Sequence, residues 1–501
     1  MLQIANIDEY TENDIPLLVD QILPILNARW RLHERYARWA NDFKLMYDEN
    51  TKNITLPFEK FITDLAAGYL SGKPAYSVDV TRDEEKTKIL EDLLDVQPKD
   101  ETYQKQLEIL IDFITSYNDD EQENHDLIHD VLEMRAAYEI LYENEDNEIV
   151  YSKFDPLQTV ATWDYNIPPY LTGLVRTWEE KSLDSTMVRK VEITDRNGSR
   201  VYNLDNANKS AVLFERNNHG WGDVPAIAVE VPFAIFEPCE EVIQKAEQLM
   251  QNISNTYQYN DVDCKLKIVG YRPQNEAIIK NNNGEYVPNP ARAAEDNAIL
   301  NSKTFYIESE GDVAYITKPL DSGGAESMYK LYLDQIYQLA GIPNTTDLAF
   351  NSDKLNASAI DRKFYVMNMC TNITISLLKK AYLRRWELIL HHINMRKGTK
   401  FDFRDVQIEL PKNLPSSESE QADYLLKLQE LISNQTIVEK LGFNYLAEKQ
   451  KMDDEAAQSL EQNLENMKKF GMNQEDANKA EGEEKLENAK QTVDQRSLEI
   501  Y

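Results

Sequence analysis

The sequence predicts an α+β chain built from several packed units. Three observations carry this expectation: 501 residues exceed what one hydrophobic core holds, apolar positions recur with helical period early and late in the chain, and they switch to period two between residues 148 and 231. A hydrophobic content of 42%, with 27 Tyr, supplies enough apolar surface for real cores although 28% of residues are charged. Wholesale disorder is excluded.

The N-terminal third reads as mainly helical. Residues 14–39 carry Leu17, Leu18, Ile22, Ile25, Leu26, Trp30 and Tyr36 at mostly helical spacing, with Pro24 predicting a kink and hence a helix pair. A helix over 58–70 stops at Ser71-Gly72-Lys73-Pro74, a glycine cap followed by a helix-excluding proline, and 76–80 is a strand. Helices follow over 86–94, 103–117 and 124–142, the last with Leu127, Ile128, Val131, Met134, Ala137 and Tyr138 on one side.

The period-two stretch holds strands at 149–151, 159–163, 174–177, 187–193, 199–204, 211–214 and 226–231, an antiparallel unit. Asp195-Arg196-Asn197-Gly198 offers the positive-φ residues of a hairpin turn, and 217–225 is a loop.

Residues 237–259 then space Val242, Ile243, Ala246, Leu249, Met250, Ile253 and Tyr257 along one face, a helix of about 34 Å. A β-rich insertion follows, with strands near 266–271, 304–307 and 313–317. It ends at Ser322-Gly323-Gly324, and a second helix, 326–339, returns with Met328, Leu331, Tyr332, Ile336 and Leu339 on one face before Gly341-Ile342-Pro343. Helix out, small domain and helix back describe a projecting stalk with a tip. Beyond a polar connection at 344–358, a long helix over 359–395 aligns Phe364, Met367, Cys370, Ile373, Leu377, Leu378, Ala381 and Leu388 as its apolar side. A strand at 406–410, helices over 417–432, 434–441 and 445–470, and an acidic, disordered tail at 471–501 complete the chain.

The formal charge of −33 argues against a surface that grips DNA by counterion release. Charge is also segregated: residues 91–150 hold 19 acidic and 3 basic side chains, whereas 354–400 hold 10 basic and 2 acidic. These complementary blocks can meet within a subunit or between neighbours. Three scattered cysteines, Cys239, Cys264 and Cys370, form neither a disulfide framework nor a thiolate metal site, which fits synthesis in a reducing cytoplasm. The N-terminus has no signal-peptide pattern and no apolar run is long enough for a membrane span.

Catalytic chemistry is not encoded in any recognisable pattern: there is no phosphate loop, HExxH, Gly-x-Ser-x-Gly or Cys/His metal spacing, and no cofactor is implied. His391 and His392 are adjacent on a helix and point to different sides. The run Asp119-Asp120-Glu121-Gln122-Glu123 reads as a solvated acidic loop, lacking calcium-loop spacing. Lys379-Lys380 and Arg384-Arg385-Trp386 mix base with aromatic, as nucleic-acid surfaces do, but the net charge favours salt bridges to a neighbouring subunit.

Leu56-Pro57-Phe58 and Ala67-Gly68-Tyr69-Leu70-Ser71-Gly72-Lys73-Pro74 resemble the N-terminal signature of siphophage portal proteins. So do, in the same order, 137–142 followed by Phe154-Asp155-Pro156, the loop ending Gly222-Asp223-Val224-Pro225, Gly341-Ile342-Pro343 before a polar loop and long helix, and Leu431-Ile432-Ser433-Asn434-Gln435-Thr436. One departure is Asn356-Ala357-Ser358-Ala359, where relatives carry Ser-Gly-x-Ala. The resemblance, covering 56–470, implies a non-enzymatic portal protein: a homo-oligomeric ring, commonly of twelve subunits, at one capsid vertex of a tailed phage, assembled in the host bacterial cytoplasm. Double-stranded DNA would enter and leave through it.

The implied architecture is a wing (1–236), stem helices (237–259 and 325–341), a clip (260–324), a tunnel loop (342–358), a long wing helix and strand (359–416), a helical crown (417–470) and the tail (471–501). Val242, Leu249, Met250, Ile253, Leu331 and Ile336 would build the stem of the oligomer, and Lys280, Asn282, Glu285 and Tyr286 of the clip would dock the terminase large subunit and later the head-tail adaptor. Asn344, Thr345, Asp347, Asn351, Lys354 and Lys363 would line the DNA channel, their mostly neutral or acidic chemistry letting a duplex slide. Major capsid and scaffolding proteins are the remaining implied partners. The alternatives are another phage head-tail connector, which is usually shorter and lacks the helix-clip-helix insertion, and a nucleic-acid-processing enzyme, which needs a carboxylate cluster or nucleotide loop.

Overall fold

The computed structural model describes residues 2–38, 54–78, 101–181, 187–205, 209–261, 265–269, 273–281, 284–300, 310–316, 321–344, 364–413 and 451–452. The chain divides into two compact units, Met1–Leu414 and Pro415–Tyr501. Of the second, only Lys451 and Met452 are described, both helical, so the expected crown and tail otherwise lie outside the described residues. So do the expected helix at 86–94, the strand at 304–307 and Cys264.

In chain order the elements are β1 (Leu2–Gln3), α1 (Ile15–Ala37), α2 (Phe58–Leu70), β2 (Ala75–Val78), α3 (Glu101–Tyr117), α4 (Asp120–Met134), β3 (Ala136–Glu143), β4 (Ile149–Phe154), β5 (Thr159–Trp163) and β6 (Leu171–Lys181). Then come β7 (Met187–Asp195), β8 (Ser199–Asp205), β9 (Ser210–Asn217), β10 (Ala226–Glu230), α5 (Glu240–Asp261), β11 (Lys265–Val269), β12 (Ile278–Lys280) and β13 (Tyr286–Pro288). The series ends with α6 (Pro290–Leu300), β14 (Asp312–Ile316), α7 (Ser322–Ala340), α8 (Tyr365–Lys397) and β15 (Val406–Glu409). The α+β class is as the sequence predicts.

A six-stranded sheet, ordered β1-β5-β6-β7-β8-β9, carries α1 on one face. Ile15, Leu18, Val19, Ile22 and Leu26 of α1 close over Val160, Val175, Val191, Ile193, Tyr202 and Leu204. The expected break at Pro24 does not occur: α1 is one helix. Pro24 and Asp20 both face solvent, so water can reach the carbonyl that proline leaves unbonded, while Ile22 and Leu26 are buried on either side.

The hairpin between β7 and β8 has its positive-φ residue at Gly198, as expected. Its φ of 159° is one that residues with a side chain rarely adopt. The turn is held by Asp195, whose Oδ1 accepts from the amides of Asn197 (2.7 Å) and Gly198 (3.2 Å). Proximity requires glycine as well, since a Cβ there would meet the Asn217 carbonyl oxygen at 2.2 Å.

Ala137 and Tyr138 correct the helix expected to reach residue 142. The helix ends at Met134; Arg135 turns left-handed at φ 65° and its amide caps the Val131 carbonyl, after which the chain is strand. β3 is the middle of a three-stranded sheet, β10-β3-β4, and is buried on both faces over its first half. A strand covered on both sides shows no alternation, which is why its apolar run passed for helix. Residues 290–300 were likewise missed: α6 lies inside an insertion read as strands and loops.

Candidate functional site

The segment Tyr69-Leu70-Ser71-Gly72 ends α2 at a crossing of chain segments. A Cβ on Gly72 would lie 2.2 Å from the Pro411 carbonyl oxygen, so glycine is what lets the chain after β15 pass. The Asn413 amide donates to the Tyr69 carbonyl (2.8 Å) and Asn124 Nδ2 of α4 to the Gly72 carbonyl (3.1 Å). The Tyr69 hydroxyl donates to Asn368 Oδ1 of α8 (2.7 Å), and its ring stacks on Phe364 at 4.6 Å between centroids. The motif therefore fixes where α8 begins.

The two helices expected to form a stalk are α5 and α7. α5 and α7 pack on each other, and the Cys239 thiol, just before α5, reaches the Ile336 carbonyl near the end of α7 at 3.5 Å, so the helices run in opposite directions. Their common base is rooted in the core: Ile243, Ile336 and Ala340 are buried with residues of α2 and α4, and Val242 packs against them. Glu247 holds the base from the other side, accepting from Arg38 Nη2 (2.7 Å) and the Leu56 amide (2.9 Å). Farther along, cover is lost. Leu249, Met250 and Ile253 are half-buried, and Tyr257, Met328 and Leu331 are exposed. The six expected stem residues thus separate into a rooted pair, Val242 and Ile336, and four that the subunit leaves partly or largely open.

At the far end of α5 and α7, β11 and β14 pair antiparallel, and β12 and β13 form a hairpin. In that hairpin Lys280 Nζ sits 5.1 Å from the Tyr286 ring centroid, and Asn281 Oδ1 accepts the Glu285 amide at 2.9 Å. Tyr286 is 73% exposed. Asn282 lies outside the described residues. Of the expected channel residues, Asn344 is described, just beyond Ile342 and Pro343, while Thr345, Asp347, Asn351, Lys354 and Lys363 are not.

α8 contains what sequence reasoning placed wrongly. Arg385, expected to face a neighbour, is fully buried within the subunit. Its Nε and Nη2 donate to the two Glu139 oxygens (2.8 and 2.5 Å) and its Nη1 to Asp120 Oδ1 (2.5 Å), with the Tyr151 and Tyr382 rings 4.3 and 4.4 Å from the guanidinium carbon. Asp120 also accepts from the Tyr76 (2.7 Å) and Tyr151 (2.9 Å) hydroxyls. The supposed solvated acidic run is thus partly interior, because Asp120 is the first residue of α4 and turns inward. Burial by itself lowers the Arg385 pKa, but Glu139 and Asp120 outweigh it and hold it well above the ordinary value. Burial raises that of Glu139 despite Arg385. Arg384 pairs with Asp223 (2.5 Å) and Glu387 (2.7 Å), again within the chain. His392 is buried, its ring stacked on Trp221 at 4.3 Å, whereas the adjacent His391 is exposed.

This network braces β2, α4, β3 and α8 and offers no open reactive group. Among the described residues, no three His, Cys, Asp or Glu side chains are placed to share a metal ion, and no helix is long and apolar enough to cross a membrane. The arrangement can support and position.

The family model described as phage portal protein, SPP1 Gp6-like, matches residues 9–462. The chain belongs to this portal family. It is accordingly a structural subunit of the homo-oligomeric portal ring that forms the channel at a capsid vertex of the phage. Among solved structures, the portal chain is similar to one from the neck of an empty GTA particle, computed with C6 symmetry, at 13% identity and a TM-score of 0.36. It is similar to another from the neck of a native GTA particle, computed with C12 symmetry, at 12% identity and a TM-score of 0.38. Each match covers 77% of the portal chain and 90% of the other. No curated protein matches it.

Proposed function

We propose that twelve copies of this portal protein close around a channel through which double-stranded DNA is packaged and later ejected. In this reading α5 and α7 are the stem, 260–324 the clip, 342–358 the tunnel loop and 417–470 the crown, with 1–236 and 359–416 as wing. The observation that carries it is the stem itself: Tyr257, Met328 and Leu331 lie exposed beyond a firmly buried base, an apolar stripe that a neighbouring stem would cover. The charge of −33 per chain supports passage over grip, since few phosphate contacts mean shallow wells for a sliding duplex.

The clip hairpin around Lys280, Glu285 and Tyr286 is the docking face for the terminase large subunit and then for the head-tail adaptor; its exposed Tyr286 is the kind of aromatic anchor exchangeable interfaces use. Asn344, Thr345, Asp347, Asn351, Lys354 and Lys363 line the narrow part of the channel. Electron-microscopy class averages of the purified chain should show a closed ring with a central hole and twelve-fold symmetry. Monomers alone at micromolar concentration, by mass photometry, would count against the assembly. Lys354→Glu or Asp347→Lys should leave rings intact and change packaging yield or genome retention; unchanged particles with both variants would remove the tunnel loop from the DNA path.

A further inference from the structure

The first third of α8 is packed inside out. Toward the subunit core it turns Met367, Thr371, Thr374 and Leu378, all buried, with Phe364 buried just ahead of them. Two of these are threonines, and the Thr371 hydroxyl donates back to the Met367 carbonyl at 2.7 Å. On the opposite side Tyr365, Val366, Met369 and Ile373 are 62%, 51%, 60% and 67% exposed. These four positions recur at offsets of one, four and eight, which places them on one helical face. No charged side chain occurs between Phe364 and Leu378, in a chain where 28% of residues are charged. A helix that met water on this side would carry its threonines outward and its isoleucine inward.

We propose that the face formed by Tyr365, Val366, Met369 and Ile373 is a ring contact, docked on the adjacent copy of the chain. The inference rests on the ring assembly proposed above and extends it from the stem to the long helix. Membership of the portal family makes a second copy available to every subunit. The face also adjoins the open side of α7. Leu339 of α7 is 47% exposed, and two residues later a Cβ on Gly341 would come within 2.8 Å of Cys370 Sγ and 3.6 Å of Val366 Cγ1. Nucleic acid is a poor occupant, because the face carries no cation to meet phosphate. An apolar protein surface fits it, and burial of several such side chains is the usual core of an obligate interface.

Cys370 is a natural reporter at the edge of this face, exposed in the subunit, while Cys239 is buried. In a Cys264→Ser background, maleimide labelling of Cys370 is measured in assembled rings, with glutathione in the same mixture as the reference thiol. The expected result is labelling at least tenfold slower than glutathione. In parallel, Ile373→Asp should give subunits with the wild-type circular dichroism spectrum that no longer form rings. Rings in which Cys370 labels as fast as glutathione, or an Ile373→Asp chain that assembles normally, overturn the contact while leaving the ring assembly standing. A wild-type chain that never forms rings overturns both.

Discussion

Arg385 of α8 and Glu139 of β3, 246 positions apart in sequence, form a two-point ion pair of 2.8 and 2.5 Å in which neither side chain is exposed to solvent. Asp120 adds a second carboxylate to the same guanidinium. Such a cluster is costly to desolvate and is tolerated because every partner is present, so its weakness shows only when one is removed. Arg385→Met leaves Glu139 and Asp120 buried without a cation and should destabilise the fold by about 3–5 kcal/mol. Denaturant unfolding of the single variant against an Arg385→Met, Glu139→Leu double variant measures this, and the double should recover part of the loss.

The exposed end of the stem yields a cleaner assembly variant than its base. Ile336 is fully buried, so a charge placed there should destabilise the subunit itself, whereas Leu331 is 48% exposed. Leu331→Asp should abolish rings in mass photometry with no change in the subunit's circular dichroism spectrum. Leu249→Asp with Met250→Asp should do the same with a small loss of stability, because both side chains are half-buried.

Replacing residues 280–286 by a Gly/Ser linker removes the Lys280–Tyr286 contact and the Asn281 turn together. Rings should persist. Affinity for the terminase large subunit should fall about tenfold, the loss of roughly 1.4 kcal/mol of an aromatic anchor. Surface plasmon resonance on immobilised rings reads this directly, and unchanged affinity would detach the motor from the clip.

Asp130 of α4 is 5% exposed, with Lys153 Nζ at 3.5 Å. Burial pushes its pKa from 3.8 up to about 7, partly opposed by Lys153 and reinforced by Glu133, Asp126 and Asp155. The folded subunit thus holds a proton that the unfolded chain releases, so stability falls as pH rises from about 4 to about 7 and the deficit stays constant above that. Asp130→Asn should flatten this slope and gain about 1–3 kcal/mol at pH 8 relative to wild type, with little change at pH 4. Urea unfolding at the two pH values checks it. Glu123, which burial also pushes up to about 7, retains part of the slope.

Local chemistry was enough to read most of the elements and their order. Period-two alternation located β7 and β8, glycine and proline marked the end of α2, and one-sided apolar spacing delineated α5 and α7, because a helix or strand with one wet face writes its period into the chain. The portal signature was legible for a related reason: Gly72 is demanded by a backbone crossing, and such a position tolerates no substitute.

What the tertiary structure alone decided concerns elements covered on both sides and charges that meet across long separations. β3 lost its alternation by being central, and α4 accordingly looked longer than it is. The acidic block and the basic block do meet, but inside one subunit through Arg385, Glu139 and Asp120, a pairing across more than 240 residues that no local pattern encodes. The apolar side of α8 was read as one stripe including Cys370 and Ile373; the structure buries Met367 and Leu378 and turns those two outward. A helix with two apolar faces shows only that it is apolar, and which face the subunit buries and which it leaves exposed is settled by what packs against it.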